Sequence, residues 1–286
     1  MRKRSCALFT LMVLIWSSNW TVMKVGLKFV GPLNLVAQRL LLASGALLPI
    51  LVWKRKNLPR DSHTWLRLVI LSLINAIGMA STNIGLLYES SGLSSLLTYT
   101  QPLFVFCLAT LFLNEEINGV KVLGVMIGFM GVATLYIGKF LLQAAFSESF
   151  PFLILGAFLW AVTVIYYKRF LSHVEPAIVN VIQFPVGSAF LVPLASIMDG
   201  LTFSWNVLYL FSILYISLLG SAVVSTIWLL LLRDEEVTVI STSSFIVPVV
   251  AVLFGWLFLG ESIGYNSILS IILVLSGVYL VNKPEK

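Results

Sequence analysis

The sequence predicts an all-α polytopic membrane protein in which ten transmembrane helices form two inverted five-helix repeats. Its composition is 59% hydrophobic and only 10% charged, whereas soluble domains carry about 25% charged residues. Apolar segments of about 20 residues, the length that spans a bilayer, follow one another along the chain. A long internal repeat divides these segments into two sets. These observations make lipid the solvent of most of the surface.

Short polar connections separate the ten apolar segments. Each segment has about 18–25 residues, enough to cross roughly 30 Å of hydrocarbon at about 1.5 Å per residue. Because backbone groups in lipid must be hydrogen-bonded within the segment, each is predicted to be a helix. The segments lie at about 6–26, 34–53, 66–87, 93–113, 118–138, 150–168, 176–197, 206–230, 237–258 and 264–282.

An internal repeat relates the two halves of the chain. Residues 102–131 align with residues 248–277 without a gap, at a separation of 146 positions (248 − 102). Upstream the separation is 144 positions (160 − 16), so one two-residue shift joins the two registers. The chain therefore divides into a first repeat, 1–145, and a second repeat, 146–286, with five segments each. The matched positions include Trp16/Trp160, Lys24/Lys168, Pro32/Pro176, Pro102/Pro248, Glu115/Glu261 and Gly131/Gly277.

The distribution of Lys and Arg sets the expected orientation. With the N-terminus in the cytoplasm, fourteen of these residues fall on the cytoplasmic side, three on the outer side, and Arg39 within a segment. Positive charge favours the cytoplasmic side in short loops. We therefore expect a multi-pass protein of the plasma (inner) membrane with both termini cytoplasmic. Since five is an odd number, the second repeat enters from the opposite face, and the repeats are inverted.

Inverted repeats predict a class of function. They are typical of secondary transporters, in which a site near the membrane midplane opens alternately to each side. The expected partners are a small-molecule substrate and the lipid bilayer. The net charge of +6 comes from the cytoplasmic loops, so no nucleic-acid partner is expected. The protein is expected to be a monomer or a homodimer.

Four motifs carry a resemblance to a known family. They are Trp16-Ser17-Ser18-Asn19, Lys24-x-Gly26-Leu27, the pair Gln38-Arg39, and the two Pro-x8-Leu-Phe-Leu-x-Glu blocks that begin at Pro102 and Pro248. They resemble the EamA family of the drug/metabolite transporter superfamily, in its ten-helix, two-repeat form. The resemblance implies that the first four segments of each repeat surround the cavity and that the fifth is peripheral. It also implies a carrier of amino acids or other small metabolites, most often an exporter.

Polar and aromatic side chains at membrane depth are the candidate cavity residues. Burial in lipid makes polar groups costly, which favours a function for each. Interhelical hydrogen bonds are the alternative for the amides, and interfacial anchoring is the alternative for the indoles. Arg39 would bind the carboxylate of an amino-acid-like substrate or a set of carbonyls, or would reach outward. The candidates are Trp16, Asn19, Arg39, Asn75, Asn83, Tyr99, Gln101, Trp160, Asn180, Gln183 and Trp228.

Prolines inside the fourth and ninth segments predict a pair of kinks. A mid-helix proline removes one backbone hydrogen bond, which here would free the carbonyls of Thr98 and Ser244. These carbonyls would accept from a substrate or let the helix flex as a gate. A static kink satisfied by neighbouring helices is the alternative. The gating candidates share one face of each segment and are Ser95, Thr98, Pro102, Ser241, Ser244 and Pro248.

Other residues are assigned structural positions. Lys24 and Lys28 are expected to reach outward to the headgroups. Glu115 and Glu261 are expected at the N-termini of the fifth and tenth helices, where a carboxylate is favourable. Small residues allow helices to approach closely. A close-packing face of the fifth segment is therefore predicted at Gly119, Gly124, Gly128 and Gly131.

No acidic residue is predicted to lie deep within a segment. Proton-coupled carriers usually need a titratable group in the transport path. Facilitated diffusion or exchange is therefore favoured over proton antiport.

The sequence contains no signature of catalysis. It has no phosphate-binding loop of the G-x-x-x-x-G-K-[ST] type and no cluster of metal ligands, so neither an enzyme nor a cofactor is expected. The predicted function is transport, as export, of small organic solutes such as amino acids, metabolites or drug-like compounds. The predicted mechanism is alternating access between the repeats. A polytopic membrane enzyme and a non-transporting receptor or scaffold are the alternatives.

Overall fold

The structure, a computed structural model, describes residues 3–89, 91–113, 115, 118–142, 148–251 and 265–283. All regular secondary structure in these residues is helical. The protein is therefore an all-α multi-pass membrane protein, as predicted, although the count of ten spans stays a prediction. Shorter apolar helices accompany six that are long and apolar enough to cross a membrane. These six are Ser5–Gly26, Pro32–Trp53, Ser62–Tyr88, Ser149–Phe170, Pro176–Met198 and Val207–Asp234.

The helices of the first repeat begin at residues suited to a helix start. Pro32 stands at the first turn of α2, where its missing N–H costs no hydrogen bond. Asp61 caps α3, its carboxylate accepting from the Thr64 N–H at 2.7 Å. The helices are α1 (Lys3–Gly26), α2 (Pro32–Trp53), α3 (Ser62–Tyr88), α4 (Ser91–Thr98), α5 (Gln101–Leu113) and α6 (Gly119–Leu142).

The second repeat starts its helices in the same way. Pro176 begins α8 as Pro32 begins α2. The eighth predicted segment is one span, in which a π-helical turn, Leu218–Val223, joins α9 to α10. We call Leu218–Val223 the π segment. The helices are α7 (Ser149–Phe170), α8 (Pro176–Met198), α9 (Val207–Ser217), α10 (Val224–Asp234), α11 (Val237–Ser243), α12 (246–251) and α13 (Tyr265–Asn282).

Both proline-containing segments are broken, and the breaks precede the prolines. One lies at Tyr99–Thr100, between α4 and α5, and the other at Ser244–Phe245, between α11 and α12. Because proline offers no N–H to the carbonyl four residues earlier, the backbone there tightens into three-residue turns. The Val247 N–H donates to the Ser244 carbonyl at 2.9 Å. The expectation of a free Ser244 carbonyl is therefore wrong.

The two repeats interleave. The most extensive helix contacts join α6 to α13, α3 to α7 and α2 to α8, and α1 lies along α9 and α10. Each contact pairs a helix of the first repeat with a helix of the second. The two largest buried apolar clusters also draw side chains from both repeats. Rocking one whole repeat as a rigid body would therefore break the main contacts of the fold.

Glycines allow α6 and α13 to pack backbone to backbone. A Cβ on Gly131 would lie 2.7 Å from the Val274 nitrogen, and one on Gly277 would lie 2.5 Å from the Gly124 carbonyl oxygen. A Cβ on Gly128 would lie 2.9 Å from the Phe245 ring. The predicted close-packing face is therefore confirmed, with one correction. A Cβ on Gly119 would meet open space, so this residue is not part of the face.

Lys24 does not reach outward as expected. Its Nζ donates to the carbonyls of Leu86 at 2.6 Å, Leu87 at 3.1 Å and Glu89 at 2.7 Å. These carbonyls stand at the C-terminal end of α3, where a helix leaves its last acceptors unpaired and favours a cation. Lys28, in contrast, is exposed.

Lys168, the repeat mate of Lys24, makes the same contact in the second repeat. Its Nζ donates to the carbonyls of Leu232 at 2.6 Å, Arg233 at 3.2 Å and Glu235 at 2.9 Å, at the end of α10. These acceptors lie 146 positions after those of Lys24 (232 − 86). The repeat therefore reproduces both the lysine and its three acceptors. We call the two contacts the lysine caps.

Glu115 caps a helix, but a different helix from the one expected. Its carboxylate accepts from the N–H groups of Val237 at 2.8 Å and Thr238 at 3.2 Å, at the start of α11. The start of α6 is capped instead by the Asn118 side-chain oxygen, at 2.8 Å from a backbone nitrogen of the first turn. The tertiary fold brings α11 to the loop that carries Glu115. Glu261 lies outside the described residues.

Candidate functional site

A central cavity of about 140 Å³ lies between the repeats. Its wall comes from the first four predicted segments of each repeat, and no described residue of α6 or α13 lines it. An engineered cavity of about 150 Å³ holds benzene, so this volume suits a ligand about as large as one aromatic ring. All eleven candidate cavity residues line it: Trp16, Asn19, Arg39, Asn75, Asn83, Tyr99, Gln101, Trp160, Asn180, Gln183 and Trp228. Their role in substrate binding stays a prediction.

The gating candidates divide into two groups. Thr98 and Ser244, which stand at the two helix breaks, line the cavity. The other four are buried behind the wall and are Ser95, Pro102, Ser241 and Pro248. The paired breaks are therefore in contact with the cavity, whereas the prolines that cause them are not.

Arg39 is the only charged side chain in the described wall, and it is 7% exposed. Its Nε donates to the Ser221 hydroxyl at 2.6 Å, and its Nη2 donates to the Gly220 carbonyl at 2.7 Å. Its Nη1 lies 3.2 Å from the Met23 sulfur. Arg39 therefore stays inside the protein, where its described acceptors are all neutral.

The π segment creates this arrangement. It contributes both Gly220 and Ser221, and the Ser221 hydroxyl donates back to the Ile216 carbonyl at 3.0 Å. A π turn widens the helix by one residue, so the Gly220 carbonyl is available to Arg39. Such turns are frequent at functional sites.

The side-chain oxygen of Asn19 stands beside Arg39 without a hydrogen-bond donor among the described residues. Asn19 itself is 5% exposed. A Cβ added to Gly220 would collide with the Asn19 carboxamide and lie 3.6 Å from Arg39 Nη2. The two side chains therefore meet over Gly220, where only a glycine leaves them room.

Three other amides hydrogen-bond to the protein. Asn180 donates to the Thr226 hydroxyl at 2.9 Å, and Gln183 donates to the Asn180 side-chain oxygen at 3.3 Å. Asn83 donates to a carbonyl of its own helix at 2.9 Å. The contact of Asn180 with Thr226 matches the interhelical alternative, whereas the Asn19 Oδ1 has no donor among the described residues.

Indole rings form the apolar part of the wall. Trp16 and Trp228 pack with ring centroids 5.2 Å apart at an angle of 54°. Trp160 lies against Gly78, where a Cβ would be 3.0 Å from the ring. The cavity therefore combines one cation, several amides and flat apolar surfaces.

Comparison with known proteins places the whole chain in one family. The profile of the EamA-like transporter family matches residues 3–137 and again residues 149–283. The chain belongs to the EamA-like transporter family. The resemblance seen in the motifs is thereby confirmed.

Relatives of this EamA-like chain carry transporter names. The Bacillus subtilis (strain 168) uncharacterized transporter YoaV is 29% identical over 271 residues, covering 93% of this chain and 92% of its own length. A probable amino-acid metabolite efflux pump of Escherichia coli (strain K12) is 26% identical, covering 98% and 95%. A solved crystal structure gives a TM-score of 0.82 at 14% identity, covering 99% of this chain and 97% of that chain, which shows a shared fold. The names point to transport and not to catalysis.

Several wall residues of this EamA-like protein are absent from the candidates drawn from sequence. The repeat offset would have found some of them. Asn19 predicts Thr163 (19 + 144), and Trp228 predicts Thr82 (228 − 146). Apolar members such as Leu229 carry no such signal, because a leucine facing a cavity looks like a leucine facing lipid.

Proposed function

We propose that the protein is a secondary transporter of small organic solutes, such as amino acids, metabolites or drug-like compounds. One observation carries the proposal. In a chain of the EamA-like transporter family, the ring-sized central cavity is walled by matched positions of both repeats, such as Trp16 and Trp160. A site shared by two repeats is what alternating access requires.

The proposed mechanism is alternating access within ten helices arranged as two inverted repeats. The helix breaks at Tyr99–Thr100 and Ser244–Phe245 are the proposed flexing points, because each meets the cavity and three-residue turns replace part of its regular helical hydrogen bonding. Since the repeats interleave, the moving units are groups of helices drawn from both repeats. Each group closes one side of the cavity while the other side opens.

Export from the cytoplasm is the proposed direction. The Escherichia coli relative is named a probable efflux pump for amino-acid metabolites, which supports this direction and substrate class. We place the protein in the plasma membrane with both termini cytoplasmic. Single-cysteine variants at Lys54 and Asp199 test the orientation. An impermeant thiol reagent added outside cells should label position 199 alone, and labelling at position 54 alone would reverse the topology.

Facilitated diffusion or exchange is the proposed mode of coupling. The described wall contains no carboxylate, and the sequence predicts no acidic residue at membrane depth. Proteoliposomes loaded with a pH-sensitive dye test this directly. Substrate added outside should leave the internal pH unchanged, and substrate-driven proton movement would contradict the proposal.

Flux measurement tests the function itself. Purified protein in liposomes is expected to give saturable uptake of at least one labelled solute from a panel of amino acids and other small metabolites, faster when the same unlabelled solute is inside. Arg39→Ala and Asn180→Ala should each lower the initial rate roughly tenfold or more, because each removes a polar contact at the cavity. Arg67→Ala is the control, since Arg67 lies over the Phe170 ring outside the wall. Equal rates for liposomes with and without protein, across a broad panel of solutes, would refute transport.

A further inference from the structure

We infer that the cavity selects small solutes with a net negative charge, and that Arg39 and Asn19 bind the anionic group. This inference rests on the proposed transport function, because it names the class of solute that the same cavity takes. Among the small organic solutes proposed above, it favours monoanions over neutral solutes, amines and zwitterions, including amino acids of no net charge.

The first argument is the charge balance of the wall. Arg39 is the single charged group among the described lining residues, and it lies almost completely out of water. A buried guanidinium is costly unless an anion or a full set of acceptors compensates it. Its described acceptors are one carbonyl, one hydroxyl and one thioether sulfur. The cavity therefore has a charge that an anionic solute would neutralise.

The second argument is the number of unused donors. A guanidinium has five N–H groups in a planar fork suited to a carboxylate. Three are directed at described acceptors, and the thioether among these is a weak one. Two N–H groups of Arg39 therefore have no described acceptor and are available to a ligand. A third, which is directed at the Met23 sulfur, is available as well because that contact is weak.

The third argument is the neighbouring amide. Asn19 is buried, lines the cavity and meets Arg39 over Gly220, yet its Oδ1 has no donor among the described residues. Rotation of the carboxamide by half a turn would present its NH₂ group instead. A carboxylate on Arg39 would then accept from Asn19 as well.

The fourth argument concerns the rest of the ligand. Zwitterions and amines carry an ammonium group, which is bound best by a carboxylate, and the described wall has none. The apolar surface is instead supplied by Trp16 and Trp228, whose packed rings suit a flat apolar body. A ring-sized monoanion satisfies the charge, the donors and the shape together.

Four probes that share one aromatic ring separate these charge classes. They are benzoate (anionic), benzamide (neutral), benzylamine (cationic) and phenylglycine (zwitterionic). Isothermal titration calorimetry on the full-length protein in detergent micelles should rank benzoate first. Benzamide and phenylglycine should bind at least roughly tenfold more weakly, because they lose the charge-assisted bonds or bring an unpaired ammonium group. Absence of benzoate binding at millimolar concentration, or equal or tighter binding of any other probe, would overturn the inference.

Variants then locate the anion. Arg39→Gln should lower benzoate affinity roughly ten- to a hundredfold and leave benzamide affinity unchanged. Arg67→Gln, the same substitution outside the wall, should leave both affinities unchanged. If Arg39→Gln does not fold, Asn19→Asp is the second variant, because it is nearly isosteric and places a carboxylate beside Arg39. It should abolish benzoate binding and leave benzamide binding unchanged. If a folded variant, either Arg39→Gln or Asn19→Asp, binds benzoate as tightly as the wild type, the assignment of Arg39 and Asn19 to the anionic group is overturned.

The binding experiment tests the anion site and the flux experiment tests transport, so each can refute one proposal without the other. Selective benzoate binding without flux of any solute would uphold the anion site and refute transport. Flux with no preference for anions over neutral analogues would uphold transport and refute the anion site.

Discussion

The two repeats contribute matched aromatic residues to the cavity wall, but only one residue of the next matched pair is charged. Trp16 of the first repeat and Trp160 of the second line the cavity as a matched pair. Arg39 of the first repeat is matched by Gln183 of the second (39 + 144), and both line the cavity. The matched indoles give the cavity similar apolar surfaces from both repeats. The unmatched pair gives the two sides of the cavity different charges, so a ligand with one charged end has one preferred orientation.

The surroundings of the unmatched pair differ as well. Arg39 is held by Gly220 and Ser221 of the π segment. The equivalent residues of the first repeat, 74 and 75 (220 − 146 and 221 − 146), lie within the regular α-helix α3. Gln183 instead donates to Asn180 on its own helix. The π segment, which has no counterpart in the described residues of the first repeat, therefore supplies the acceptors that hold the guanidinium.

The largest expected effect comes from exchanging the unmatched pair. Arg39→Gln should lower the transport rate of the solute found in the flux screen roughly ten- to a hundredfold. The double variant Arg39→Gln/Gln183→Arg should not restore it, because α3 offers no free carbonyl like that of Gly220. Initial rates in proteoliposomes measure both, with size-exclusion profiles as the control for folding. Recovery of the rate in the double variant would show that the repeats are interchangeable at this position.

The next largest effect is expected at the lysine caps, which allow the stability of the two repeats to be compared at equivalent positions. Lys168→Met should lower the free energy of unfolding by about 3 kcal/mol and Lys24→Met by about 2 kcal/mol, since each leaves helix-terminal carbonyls without their charged donor. The second cap should lose more, because Lys168 is attracted by Glu115, Asp234, Glu235 and Glu236, which offset part of the cost of its burial. Unfolding in detergent micelles measures these losses. Lys28→Met, which removes an exposed lysine, is the control, and a greater loss for Lys24→Met would reverse the ranking.

A smaller effect is expected at the cap of α11. Glu115→Gln removes the negative charge but keeps one oxygen for the N–H groups of Val237 and Thr238. The free energy of unfolding should fall by about 1 kcal/mol, the usual worth of a charged helix cap. The same detergent unfolding assay measures it. A stability equal to that of the wild type would mean that the charge contributes nothing there.

The smallest effect is expected at the ion pair between the end of α2 and the start of α8. Lys54 donates to Glu175, and this contact lowers the pKa of the Glu175 carboxyl. A lowered pKa stabilises the fold above the ordinary glutamate value of about 4.3, and the gain is lost as pH falls through the lowered pKa. Since both side chains are partly exposed, the gain is about 0.5 kcal/mol.

Glu175→Gln isolates that gain. The melting temperature of the variant should lie slightly below that of the wild type at neutral pH, and the two should converge in acid. A constant difference down to pH values well below about 4.3 would show that the carboxyl does not contribute through its charge.

The fold could be predicted largely from local features of the sequence. The predicted segments at 34–53 and 176–197 begin and end within two residues of α2 and α8, because apolar length and a first-turn proline both act locally. Cavity residues were predictable for a similar reason. A buried polar residue such as Arg39 or Asn180 is conspicuous in an apolar helix.

Features that depend on tertiary contacts could not be predicted. Glu115 was assigned to the nearest helix start in the sequence, but α11 lies closer in space. The π segment contains no proline and has the composition of an ordinary apolar helix. The outward direction expected for Lys24 followed from side-chain length, whereas its partners come from α3, more than sixty residues later in the chain.

The interleaved packing has a consequence for biosynthesis. The principal contacts of α2, α3 and α6 are with helices that the ribosome has not yet made when the first repeat leaves it. Until the second repeat is made, Arg39 lacks its two described oxygen acceptors, Gly220 and Ser221, which both belong to the π segment. The helix faces of the inserted first repeat that later pack against the second repeat are therefore exposed in the membrane until the second repeat is made. Truncation before α7 should yield a chain that is inserted and then removed by quality control.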